Sequence, residues 1–118
     1  EEDESSLDYF YFPKYLPVGF MVEEEISDNE LYYIKFTNED QYFYISQCLS
    51  SSNKQERIDT EEAKVENLKI DGYQGLYVEI KDKKAIYLEM GNIAVSIYGN
   101  IEKKDLFRMA QNLELLYR

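Results

Sequence analysis

Between Leu76 and Tyr98 apolar side chains fall at every second position, broken only at Asp82-Lys83-Lys84 and at Gly91-Asn92. Successive side chains of a strand point to opposite faces, so this period of two writes consecutive strands that bury one face. Gly-Asn between two such runs is a tight hairpin signal, because Gly and Asn accept the positive φ of the turn. The alternation groups Leu76, Val78 and Ile80 with Ile86, Leu88, Met90, Ile93, Val95 and Ile97 on a core face. It leaves Tyr77, Glu79 and Lys81 on the opposite side.

Upstream, the same period predicts strands over Phe20 to Ile26, Leu31 to Thr37, Gln41 to Leu49 and Val65 to Ile70. Polar turns at Ser27-Asp28-Asn29-Glu30 and Asn38-Glu39-Asp40 join the first three into a meander. Tyr32, Ile34 and Phe36 share one face, as do Phe43, Ile45 and Leu49; Tyr42, Tyr44, Ser46 and Cys48 share the other. Ser50 to Glu62 is almost bare of apolar residues and reads as a long exposed loop, with a helical turn at Thr60 to Val65 as an alternative for its end. Gly72-Tyr73-Gln74-Gly75 reads as a turn or bulge. Pro13 and Pro17 keep the segment after Tyr9-Phe10-Tyr11-Phe12 extended or turned.

At Gly99-Asn100 the period lengthens to about 3.6. Asn100 is the expected N-cap, Glu102 and Asp105 suit the first turns, and Leu106, Met109, Ala110, Leu113 and Leu116 or Tyr117 form one stripe ending near Arg118. The expected fold class is therefore α+β: a curved antiparallel sheet of six to seven strands with one C-terminal helix packed on one face. Residues 1–8 read as an acidic tether and residues 9–118 as a single domain, which suits a chain of 118 residues.

Composition narrows the function. The chain has no His, so Ser-His-Asp, Cys-His and the common zinc arrangements cannot be assembled within it. Its carboxylates cluster in turns and in the leader, where water solvates them and a raised pKa is hard to reach. Asp28-Asn29-Glu30, Asn38-Glu39-Asp40 and Glu23-Glu24-Glu25 lack the spaced ligands and central Gly of a calcium loop. Gly72 and Gly75 are not followed by the Lys-Ser/Thr of a phosphate loop. We therefore expect no enzyme, no catalytic or metal residue and no cofactor. The net charge is −11, of which five charges lie in the first eight residues, and that sign repels nucleic acid and anionic membrane surfaces alike. Membrane attachment is expected only through an upstream anchor, as the acidic start, which is not Met, hints. Cys48 is single and reads as a small strand hydrophobe.

One feature reaches towards function. Tyr42, Tyr44, Tyr77, Tyr87 and Tyr98 fall on strand faces opposite the aliphatic set. One helix cannot cover both faces of such a sheet, so this face is open or packs on something else. Ordinary cross-strand aromatic pairing is the bland reading. The sharper one is a binding surface for a protein, peptide or glycan. Self-association into a homodimer is the structural alternative, and a hydrolase using carboxylates ranks last.

Tyr15-Leu16-Pro17-Val18-Gly19-Phe20, Ile70-Asp71-Gly72 with Gly75 and Tyr77, and Tyr98-Gly99-Asn100 ahead of Ala110 and Leu113 resemble the bacterial domain-of-unknown-function family 4367. The chain departs from that pattern at Val18, where the family often has an acid, and at Leu88-Glu89, where it often has Trp. The resemblance implies an extracytoplasmic domain of Gram-positive bacteria, membrane-tethered or lipid-anchored and sometimes beside anti-sigma or stress-sensing segments. It brings no catalytic residues. The reading it supports is a non-enzymatic sensing or interaction module on the cell surface, or secreted.

Overall fold

The computed structural model describes residues 7–49 and 63–117. The leader up to Ser6, the loop expected at Ser50–Glu62 and Arg118 lie outside the described residues. Strands β1 (Tyr9–Pro13), β2 (Met21–Ser27), β3 (Leu31–Asn38), β4 (Gln41–Leu49), β5 (Lys64–Ile70), β6 (Tyr73–Ile80), β7 (Lys83–Met90) and β8 (Ile93–Gly99) precede helix α1 (Lys103–Ala110). Strand β9 (Leu113–Tyr117) follows it. Seven strands form one antiparallel sheet in the order β2-β3-β4-β8-β7-β6-β5, and β1 pairs with β9 in a separate ribbon. The fold is α+β, as the alternation required.

Register explains which face is buried. Residues directly opposite one another across antiparallel strands share a face. Ile34, Ile45, Ile97, Ile86 and Tyr77 are successive partners across five strands, and all five are buried. Over this row α1 packs on β7 and β8, burying Leu106, Met109 and Ala110. The β1–β9 ribbon covers the rest: the Phe10 ring lies 4.4 Å from that of Tyr32, and Phe12 lies 6.4 Å from Phe36. Gln47, buried on the same face, fastens the ribbon. Its Oε1 accepts the Tyr11 N–H at 2.7 Å and its Nε2 donates to the Tyr11 carbonyl at 2.8 Å.

Three expectations are corrected. The helix is short, and its stripe ends at Ala110. Beyond it the Asn112 N–H donates to the Met109 carbonyl and the Asn112 Nδ2 donates to the Arg108 backbone carbonyl at 2.7 Å, closing the helix. Leu113 to Tyr117 then pair with Pro13 to Tyr9, because the aromatic β1 offers a partner that outweighs continued helix. Asn100 is not the N-cap; Glu102 is, in extended conformation. Asn100 instead accepts the Tyr42 N–H at 2.8 Å and donates to the Asp40 carbonyl at 3.2 Å, locking β8 to the β3–β4 turn.

The second correction concerns parity. The β6–β7 turn holds two residues, Lys81 in left-handed geometry at φ 56° and Asp82, not the three of Asp82-Lys83-Lys84. A slip of one residue exchanges the faces of a strand. Tyr77 therefore stands opposite Ile86 on the core face, while Leu76, Val78 and Ile80 face the other way. The third correction is at Gly75, which lies inside β6 instead of in a turn: a Cβ there would sit 2.2 Å from the Tyr87 carbonyl oxygen. The strand expected over Val65 to Ile70 is present as β5, which starts one residue earlier at Lys64; of the alternative helical turn, Thr60 to Glu62 lie outside the described residues.

Candidate functional site

No described element covers the second face of the large sheet. Register assigns to it Tyr33, Lys35 and Thr37 of β3, Tyr42, Tyr44, Ser46 and Cys48 of β4, and Ala94, Ser96 and Tyr98 of β8. Beyond these stand Ala85 and Tyr87 of β7 and Leu76, Val78 and Ile80 of β6. Four of the five expected tyrosines, Tyr42, Tyr44, Tyr87 and Tyr98, are brought together here, each half-buried. Tyr77 is not among them.

The rings support one another. Tyr44 stacks on Tyr98 at 4.8 Å and 19°, meets Tyr42 edge-on at 5.5 Å, and lies 5.5 Å from Tyr33. Lys35 Nζ sits 5.4 Å above the Tyr44 ring and 3.5 Å from a Glu23 carboxylate oxygen. Tyr33 and Lys35 carry the same strand parity as the tyrosines, which is the signal that marks them as part of the wall. Burial, with Tyr44 and Glu24 adding, pushes the Tyr33 hydroxyl up to about 12. Partial burial works against the Lys35 charge, yet Glu23 and Tyr44 hold its ammonium above the usual value.

Tyr87 divides two shallow hollows. One, of about 380 Å³, lies between Tyr87, Tyr98 and Tyr42 over Val78 and Ala85, with Lys83 at its rim. The other, of about 280 Å³, lies between Tyr87 and Leu76, edged by Asn67, Gln74 and Ser96. Burial raises the Cys48 thiol, so at neutral pH it stays protonated and is a poor nucleophile. The surface is apolar with a scatter of hydroxyl and amide groups, which suits contact with a partner and offers no group poised for proton transfer.

Tyr77 serves the opposite face. Its hydroxyl donates to Glu79 Oε1 at 2.7 Å, and Lys103 Nζ of α1 lies 4.6 Å from its ring centroid. Burial and that hydrogen bond raise Tyr77, and the same bond lowers Glu79. Among the described residues no group of three or more His, Cys, Asp or Glu is placed to hold a metal ion. Asp28 and Asn38 use their side chains on turn amides: Asp28 Oδ1 accepts from Glu30 and Leu31, and Asn38 Oδ1 from Glu39. No helix among the described residues is long and apolar enough to cross a membrane.

The family model for Domain of unknown function (DUF4367) matches residues 11–113. Among solved structures, MucB in complex with MucA(peri) is similar over 88% of this chain and 36% of that one, with a TM-score of 0.54 and 9% identity. The MucA/MucB complex of Pseudomonas aeruginosa is similar over 92% of this chain and 35% of that one, with a TM-score of 0.54 and 8% identity. The chain thus spans about a third of the length of the solved chains it matches, and the likeness is one of fold. No curated protein matches the sequence.

Proposed function

The chain belongs to the family Domain of unknown function (DUF4367), and from that premise we propose that it is a non-enzymatic interaction module that presents its uncovered sheet face to a partner protein. The observation that carries this reading is the wall of Tyr33, Tyr42, Tyr44 and Tyr98, left bare by every described element and continued by the hollows on either side of Tyr87. Exposed aromatic surface of this kind is costly to leave in water and is enriched where proteins meet. MucB, which shares the fold, has been solved in complex with a second protein, MucA(peri). Its partner is named with a periplasmic tag, and an extracytoplasmic setting for the present chain is part of the same proposal. A sequence without His and with a protonated Cys48 supports the non-enzymatic half of the reading.

Selection of a random displayed-peptide library on the wild-type chain tests this. Enriched peptides are expected to lose about tenfold or more in affinity for Tyr87→Ser and Tyr98→Ser, the loss that removal of an aromatic anchor brings. Both variants should keep a cooperative thermal transition, because both rings are half-buried and lie outside the buried core cluster. Failure to enrich any peptide, or equal binding by both variants, overturns the proposal. A wild-type dimer that Tyr98→Ser dissociates would replace the partner by a second copy of the chain.

A further inference from the structure

Seven large apolar side chains are exposed among the described residues, and four of them gather at one margin of the sheet: Val18 at 96%, Met21 at 74%, Val22 at 55% and Ile26 at 44%. Strand β2 forms that margin. It pairs with β3 on one side and has no described strand on the other, and all seven of its residues are exposed. Every second backbone amide and carbonyl of such a strand points outward, a ready template for another chain. Beside it runs a groove of about 660 Å³, lined by Met21, Glu23, Glu39, Asp40 and Tyr42 around Lys35. Lys35 is already engaged by Glu23, so carboxylates set the sign of the groove. Glu24, opposite Lys35, adds to it along the strand, while Glu25 stands on the other face and accepts the Tyr32 hydroxyl at 2.8 Å, in a chain whose net charge is −11.

We propose that the β2 edge and this groove bind an extended basic and apolar segment of a partner protein as an added strand. Main-chain pairing supplies the attachment, Met21, Val22 and Ile26 receive apolar side chains, and the carboxylates select Lys or Arg. The same carboxylates reject a second copy of this chain, since antiparallel pairing of β2 with itself sets glutamates against glutamates. The bulge between Val22 and Glu24 further narrows the strands that fit. This surface adjoins the tyrosine wall, with which it shares Lys35 and Tyr42, and goes beyond the reading above by naming the main-chain edge and the chemistry of the segment bound.

The probe is a short labelled peptide alternating Lys with Val, titrated into the full chain by fluorescence polarisation. It is expected to bind about tenfold or more tightly than its Glu-Val counterpart, and to weaken by a similar factor when alternate peptide amides are N-methylated. Methylation blocks strand pairing without altering charge. Met21→Lys/Ile26→Lys should weaken the unmodified peptide by about tenfold as well, each residue being a surface position whose change spares the core. Absence of saturable binding, or equal binding by the methylated peptide, overturns the inference. Tyr87→Ser and Tyr98→Ser are expected to bind the Lys-Val peptide as wild type does, so loss of the tyrosine reading and loss of this one register in different measurements.

Discussion

Gln47 is the sole polar side chain buried among the described residues, and both ends of its carboxamide are spent on Tyr11. Gln47→Leu would leave a backbone N–H and a carbonyl without partners inside the ribbon interface. We expect a loss of about 2–4 kcal/mol in urea unfolding, at the cost of one to two unsatisfied buried groups. Gly99 is as demanding in another way: a Cβ there would lie 2.2 Å from the Tyr42 carbonyl oxygen and 2.7 Å from Phe43 Cα, both backbone atoms. Gly99→Ala should therefore destabilise by about 1–3 kcal/mol, by forcing β8 away from β4. Tyr33 makes a pH prediction. Its hydroxyl is raised to about 12 in the folded chain, against an ordinary value near 10, so the folded state holds the proton more tightly than the unfolded one. Its contribution is complete below pH about 10 and lost as pH climbs towards about 12. Denaturation midpoints should fall less steeply across that interval for Tyr33→Phe than for wild type.

At the scale of elements, what the sequence disclosed depended on how local the deciding contact was. Strands β3, β4, β7 and β8 were legible because each alternates on its own and is closed by a short turn. The face of β6 was not, because its aliphatic parity of Leu76, Val78 and Ile80 alternates as a core face would, and only the length of the Lys81-Asp82 turn sets Tyr77 against the core instead. That is why Tyr77 moved from the tyrosine wall to the seat of α1, while Tyr33 and Lys35, on the right parity, joined the wall. Strand β9 was hidden for the opposite reason. Leu113 to Tyr117 satisfy a helical stripe locally, and their true partner lies at Tyr9–Pro13, at the far end of the sequence. Ending the chain at Asn112 tests that pairing. It should uncover Phe10 and Phe12, lower stability by roughly 2–4 kcal/mol from lost apolar burial, and abolish amide protection along β1 in hydrogen exchange.

For the molecule as a whole, one side of the sheet is roofed, the other is covered by no described element, and the margin at β2 is guarded by charge. That guard depends on pH. Near the isoelectric point of about 4.4 the net charge of the chain vanishes, so repulsion between β2 edges fades. Light scattering should then report association that is absent at neutral pH, and Met21→Lys/Ile26→Lys should suppress it. The β1–β9 ribbon has a mechanical consequence. Since Tyr9 and Tyr117 are directly opposed, tension applied between the two ends would not shear the molecule along its strands. It would unzip the ribbon pair by pair from that end, freeing the Gln47 clasp and baring the isoleucine row while the seven strands are still zipped. The first thing to yield under a pull is thus the roof, and the force needed is set by a handful of hydrogen bonds broken one after another.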